Sequence, residues 1–200
     1  MNNFSAADYL ATPINWGLLA RAQAFYASKG FQYRETPWSV PTEINALTRP
    51  AGTPSWFEHE FQGRTHELVA SAEQGFLYQL KQHNLPPGMH QSISPCFRVE
   101  PLYGEYHQPW FMKLELCVVT EKDNAPAALR MVLQAAYGLF QSHCDAGSIV
   151  QTQVSDTQFD LELNGIEIGS YGIRKLDSCA FIYGTGLALP RFDIASKLSC

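Results

Sequence analysis

The sequence contains no apolar run approaching the roughly 18 residues that span a bilayer. Its start, Met1-Asn2-Asn3-Phe4, lacks the basic residues and apolar core of a secretory signal. A cytoplasmic protein with no membrane partner is therefore expected. Cysteine is sparse and scattered: Cys96, Cys117, Cys144, Cys179 and Cys200 make an odd set, with no CxxC and no Cys/His pair at zinc-site spacing. That pattern offers no disulfide framework and suits a reducing compartment. Positive charge is not in excess either. With 14 Lys and Arg against 19 Asp and Glu the net charge is −5, so any nucleic-acid partner would need a local basic patch. Repeats, linkers and low-complexity tracts are missing, while 46% apolar residues over 200 positions are enough for one sizeable core. A single domain over residues 1–200 is expected.

What is present reads as alternating helices and strands. Thr12-Pro13 is a helix start, and Trp16, Leu19, Ala20, Ala24 and Phe25 recur near a 3.6-residue period up to Ser28, where Lys29-Gly30 ends the run. Phe31 to Pro37 alternates as a strand, and Pro41 and Pro50 make the following stretch irregular. Residues 42–65 carry no decisive pattern. Leu68 to Glu73 reads as a short strand entering a polar turn, and Gln74 to Gln82 as a helix stopped before Pro86-Pro87-Gly88. Asp123-Asn124 can cap a helix that has Pro126 in its first turn and Leu129, Val132, Leu133, Ala136, Tyr137 and Phe140 as its apolar stripe. Ser148 to Leu163 and Ile166 to Ile168 read as two strands around the turn dipeptide Asn164-Gly165. A glycine-punctuated strand from Phe181 to Leu189 leads into a last helix at Pro190-Arg191. The class that fits is α+β: an antiparallel or mixed sheet flanked by helices, for which the family resemblance given below implies six to seven strands.

One hairpin stands apart. Cys96 to Glu100 and Trp110 to Glu115 are β-prone runs around a polar turn, and their alternation puts Arg98, Glu100, Phe111, Lys113 and Glu115 on one sheet surface. Charges on the inner face of a hairpin are costly unless a ligand or partner groups satisfy them, so this face reads as a binding surface. Trp110 points the other way and is assigned to packing; Cys96 is assigned to a small buried position.

With these stretches in hand, the chain resembles the catalytic core of a class II aminoacyl-tRNA synthetase. The helix, Gly30-Phe31, the strand and Pro37 are similar to that family's first motif, which forms a dimer interface. Phe97-Arg98-Val99-Glu100 followed by His107 to Phe111 is similar to the second. Gly184 to Arg191 is similar to the third, with Ala188 at its third glycine and Pro190 at its glutamate. The nearest flavour is seryl-tRNA synthetase, through Ser71-Ala72-Glu73, Phe111 to Leu116, Asp160-Leu161-Glu162, Glu167 to Ser170 and Gly184 to Arg191. Tyr183 stands where that family usually has asparagine, and the hairpin between Glu162 and Glu167 is shorter.

The resemblance implies an ATP-dependent ligase that forms an aminoacyl-adenylate with ATP and Mg2+. It implies catalytic roles for Arg98 and Arg191. Arg98 would bind the α-phosphate, a task suited to a planar guanidinium donating parallel charge-assisted bonds. Glu100, His107, Phe111, Gly186 and Arg191 would complete the ATP site, with Phe111 and Arg191 on opposite faces of the base. Glu167 and Ser170 would hold magnesium. Ser71, Glu73, Lys113, Glu115 and Gly184 would form the amino-acid site, with Glu73 and Glu115 meeting the ammonium. Only nine residues follow Arg191 and about a dozen precede the first helix, so the expected acceptor is not a tRNA held by an anticodon-binding domain. A carrier protein, another protein or a small molecule is expected in its place, with a tRNA acceptor stem as a further partner. The alternatives are a non-catalytic synthetase paralogue that binds a ligand as a regulatory subunit, or a synthetase that reads only the acceptor stem. A homodimer through the segment ending at Pro37 is expected.

Overall fold

Proline spacing and the hydrophobic pattern set where the chain can pair. In the computed structural model, which describes residues 13–50, 52–53, 57–99, 103–144 and 149–198, helix α1 (Trp16–Ser28) starts later than Thr12-Pro13 suggests. Its cap is Asn15, whose side chain accepts the backbone N–H of Leu18 at 3.0 Å; Thr12 lies outside the described residues. Leu18, Leu19, Ala22 and Tyr26 form its buried stripe, which corrects the expected one: Leu19 is shared, Phe25 is partly buried, and Trp16, Ala20 and Ala24 face solvent. The strand expected over Phe31 to Pro37 contracts to β1 (Gln32–Tyr33), and β2 (Ser39–Pro41) follows after Pro37.

The stretch 42–65 holds α2 (Thr42–Asn45) and β3 (Glu58–Phe61); β4 (Arg64–Leu68) comes next. Strands β2, β4 and β3 make a small antiparallel sheet. The strand expected over Leu68 to Glu73 is corrected. Pairing stops at Leu68, and Ser71 is the N-cap of α3 (Ala72–Lys81), which thus begins two residues ahead of Gln74. A local capping box decides this: the Ser71 hydroxyl accepts the Glu73 N–H at 3.3 Å, and the Gln74 side chain accepts the Ser71 N–H at 2.8 Å.

The hairpin expected at the centre forms from β5 (Gly88–Phe97) and β6 (Trp110–Thr120). A 3-10 turn over Lys122–Asn124 leads into α4 (Ala125–Gln141). Proline occupies its first turn, but Asn124 makes no side-chain cap bond. The single strand expected over Ser148 to Leu163 is two, β7 (Ile149–Ser155) and β8 (Gln158–Leu163), because the chain turns at Asp156-Thr157. Asn164 and Gly165 do turn the chain, with φ of 55° and 76°, into β9 (Ile166–Lys175), much longer than its expected three residues. Strand β10 (Ala180–Leu189) and helix α5 (Arg191–Lys197) complete the fold.

The main sheet has seven strands in the order β1-β5-β6-β10-β9-β8-β7, antiparallel except where β1 runs parallel to β5. It is the α+β, mixed seven-stranded architecture expected. One face is apolar: Leu114, Leu116, Leu187 and Leu189 pack with Leu18, Leu19, Val132, Ala136 and Phe192. The opposite face is covered at one end by α3, where Phe76 and Leu77 join Cys117, Val119 and Phe181 in a second cluster. The uncovered remainder of that face is where polar groups can sit.

Candidate active site

Register builds the site. Cys96, Ser94 and Ser92 lie opposite Phe111, Lys113 and Glu115, so all six point to the face away from α1 and α4. Arg98 continues the hairpin, its N–H bonded to the Pro109 carbonyl at 3.0 Å. On β10, Tyr183, Thr185 and Ala188 are paired with Cys117, Glu115 and Lys113 and share this face; on β9, so do Ser170 and Gly172. A cavity of about 570 Å³ opens over it, walled on the other side by α2, β4 and the start of α3. Among the residues expected to form a site, it brings together Arg98, Phe111, Lys113, Glu167, Ser170, Arg191, Ser71 and Glu73.

Arg98 lies with its guanidinium carbon 5.1 Å from the centre of the Phe111 ring and donates from Nε to the Ala70 carbonyl at 3.3 Å. Three other cations line the cavity, and each faces a carboxylate. Arg49 is paired with the buried Glu67, Lys113 with Glu115 at 2.7 Å, and Arg191 with Glu167 at 3.7 Å. Arg98 faces none among the described residues. Arg191 also donates to the Tyr106 carbonyl at 3.1 Å, which ties the start of α5 to the hairpin loop. Glu167 leaves half of its side chain exposed, and Ser170 takes a 3.4 Å hydrogen bond from Gln158. Both offer oxygen to the cavity, a donor set suited to a hard divalent cation.

Several expected site residues are placed differently. Glu115 does not line the cavity. It is fully buried beneath Lys113 and Ser71, both of which bond its Oε2, and its Oε1 has no partner among the described residues. Burial pushes its carboxyl up, against the pull of the Lys113 ammonium. Gly184 and Gly186 turn to the helices instead of the site. A Cβ on Gly184 would fall 2.7 Å from Val132, and one on Gly186 would fall 2.3 Å from Leu114. Ordinary alternation puts Gly186 on the same inner face as Gly184, and the bulge between Thr185 and Leu187 brings Leu187 to that face as well. His107 borders a small recess beside Phe111 and Arg191, outside the main cavity. Trp110 is 41% exposed, so it is not a packing residue of this chain. Cys96 is fully buried as expected, and burial raises its thiol to about 11. Glu100 lies outside the described residues.

Sequence reading missed Arg49, Glu67 and Arg174. Arg174 donates from Nε to Glu73 at 2.5 Å and stacks 4.9 Å from the centre of the Tyr183 ring. The signal for it was available. Alternation along β9 from Ser170 through Gly172 reaches Arg174, but the strand was expected to end at Ile168. Arg49 and Glu67 belong to an irregular stretch and to a strand with no pattern to read.

No family model matches the sequence, and no curated protein does. Solved structures match in three dimensions. Cytoplasmic serine-tRNA ligase from Naegleria fowleri, in complex with AMP, superposes with a TM-score of 0.73 at 19% identity, covering 92% of this chain and 48% of that one. Seryl-tRNA synthetase from Pyrococcus horikoshii, complexed with ATP, gives 0.70 at 18% identity over 91% and 50%. PylSc, a pyrrolysyl tRNA synthetase from Desulfitobacterium hafniense, gives 0.66 at 15% identity over 92% and 69%. The chain spans about half the length of the seryl enzymes it matches. Its fold is that of the class II aminoacyl-tRNA synthetase catalytic core.

Proposed function

We propose that this domain uses ATP to activate the carboxylate of an amino acid as an aminoacyl-adenylate and passes the aminoacyl group to a carrier protein, another protein or a small molecule. The observation that supports it best is Arg98: a guanidinium over an aromatic ring, in a cavity, with no carboxylate facing it among the described residues. Such a group is prepared for an anion. In the reaction a carboxylate oxygen bonds to the α-phosphorus of ATP, the bond from that phosphorus to the bridging oxygen breaks, and pyrophosphate leaves with the electron pair. No proton moves. Catalysis is therefore positioning and charge stabilisation, and Arg98 would hold the α-phosphate as negative charge grows on it. Phe111 would carry the adenine on one face, with Arg191 on the other. Glu167 and Ser170 would hold magnesium, which when bound neutralises phosphate charge. Ser71 and Lys113 line the end of the cavity beside Glu73, where the amino acid would enter.

Replacing Arg98 with Ala is expected to abolish amino-acid-dependent exchange of labelled pyrophosphate into ATP. Each lost charge-assisted bond is worth about 1.5–3 kcal/mol, and two such bonds exceed a hundredfold in rate. Exchange at the parental rate in that variant would remove Arg98 from the mechanism.

A further inference from the structure

At the end of the cavity beside Ser71 and Lys113, Glu73 is the carboxylate that faces the open space, since Glu115 is buried beneath those two residues. A glutamate side chain ordinarily has rotamer freedom that it loses on meeting a ligand. Glu73 has already lost it. Arg174, on β9, donates from Nε to its Oε1 at 2.5 Å across 101 residues of chain. The bond is made at one point: Oε2 of Glu73 makes no hydrogen bond among the described residues. A bidentate clasp would have engaged both oxygens and left none for a substrate.

Arg174 itself stands outside the cavity, whose wall at this end is formed by Glu73 and Tyr183. Its guanidinium carbon lies 4.9 Å from the centre of the Tyr183 ring. That ring lies across Gly172, where a Cβ would fall 2.4 Å from the tyrosine hydroxyl, so the missing side chain is what lets the ring sit beside Arg174. The guanidinium is thus fixed by the ring and in turn fixes Glu73. A carboxylate held by one oxygen presents the other in a set direction, and its ordering belongs to folding instead of binding. We infer that Arg174 is a positioning residue of the amino-acid site: from behind the wall it holds Glu73 so that Oε2 receives the ammonium of the amino acid. It touches neither ATP nor the reacting atoms, and its effect reaches the substrate through Glu73.

This inference rests on the activation reading, and exchange kinetics separate the two. Pyrophosphate exchange across the common amino acids identifies the substrate. KM for that amino acid and for ATP is then compared in the parent, Arg174→Met, Arg174→Lys, Glu73→Gln and the double variant Glu73→Gln with Arg174→Met. Arg174→Met is expected to raise the amino-acid KM about tenfold, the lower worth of one charge-assisted contact, with the KM for ATP unchanged. Arg174→Lys, which keeps the charge but moves it, is expected to give an intermediate rise, so the inference stands on a second variant if the first does not fold. On top of Glu73→Gln the Arg174 change is expected to add no more than about twofold, because nothing is left to position. A merely structural role would lower the active fraction and hence the apparent kcat, keep both KM values, and persist in the Glu73→Gln background. An amino-acid KM unchanged in the Arg174 variants, or a full tenfold rise on top of Glu73→Gln, would overturn the inference and leave the activation reading standing. Silence of the parent with every amino acid would overturn both.

Discussion

Arg98 shows how a single residue acquires a task. A guanidinium on a strand is ordinarily a surface group with a carboxylate neighbour and little energetic consequence. Here Cys96 and Phe111 are paired across the hairpin, so the Phe111 ring lies under Arg98, and the Ala70 carbonyl fixes its Nε. Arg98 lines the cavity with its two terminal nitrogens making no hydrogen bond among the described residues, and such a pair can address a phosphate. His90 poses a different residue-scale question. It is almost fully buried, with Nε2 2.9 Å from the Pro86 carbonyl, and burial holds its imidazole below 6.5, the positive Arg34 adding to the effect. The sign of the linkage follows from this. Above about pH 6.5 both folded and unfolded chains carry His90 neutral; as pH falls below that value the unfolded chain binds a proton that the folded chain resists, and stability is lost. Urea midpoints at pH 7.5 and 5.5 are expected to fall further for the parent than for His90→Gln. Equal falls would show that the folded chain takes up a proton at His90 as readily as the unfolded chain does.

At the scale of elements, α3 and β10 carry the contrast between site and scaffold. Ser71 caps α3 and also donates to Glu115, so one hydroxyl fixes both the helix start and a buried carboxylate. Ser71→Ala should lower stability by about 1–3 kcal/mol, combining a lost cap with a poorly satisfied buried carboxylate; a chemical-denaturation series measures it. On β10 the alternation sorts functions by face. Gly184 and Gly186 belong to the packing side, where Leu114, Tyr26, Val132 and Tyr171 leave no space for a methyl group. Gly186→Ala is expected to destabilise by about 1–3 kcal/mol through overpacking. Its folded fraction should bind ATP with the parental affinity by titration calorimetry; a tenfold weaker affinity at full folding would return Gly186 to the nucleotide site.

For the whole molecule the unsettled surface is the one around the first helix and first strand. Trp16 and Tyr33 are 61% and 40% exposed within the segment that ends at Pro37, and Trp38, the next residue, is 54% exposed. Large apolar side chains at this density are a cost in water that a second copy would relieve. A homodimer through this segment is expected at micromolar concentration by sedimentation velocity, and Trp38→Glu is expected to shift it to monomer. A parent that sediments as a monomer would contradict it. No described helix is long and apolar enough to cross a membrane.

Local pattern was sufficient for the hairpin, for α4, for the presence of α1 though not for its start or its buried stripe, for the Asn164-Gly165 turn and for the face shared by Arg98, Phe111 and Lys113. Period and turn chemistry act within a few residues, and a sequence states them directly. Whether a charge on that face meets a ligand or a neighbour was decided only in three dimensions. Arg174 reaches Glu73 across 101 residues of chain, and Ser71 reaches Glu115 across 44. Alternation could place Glu115 on the correct face, yet only the packing of α3 over that face buried it under Lys113. The same holds for Gly184 and Gly186: a glycine run reads alike whether it makes room for a nucleotide or for Leu114. The identity of chemically capable groups is thus written locally, while their pairing depends on which strands and helices close over one another.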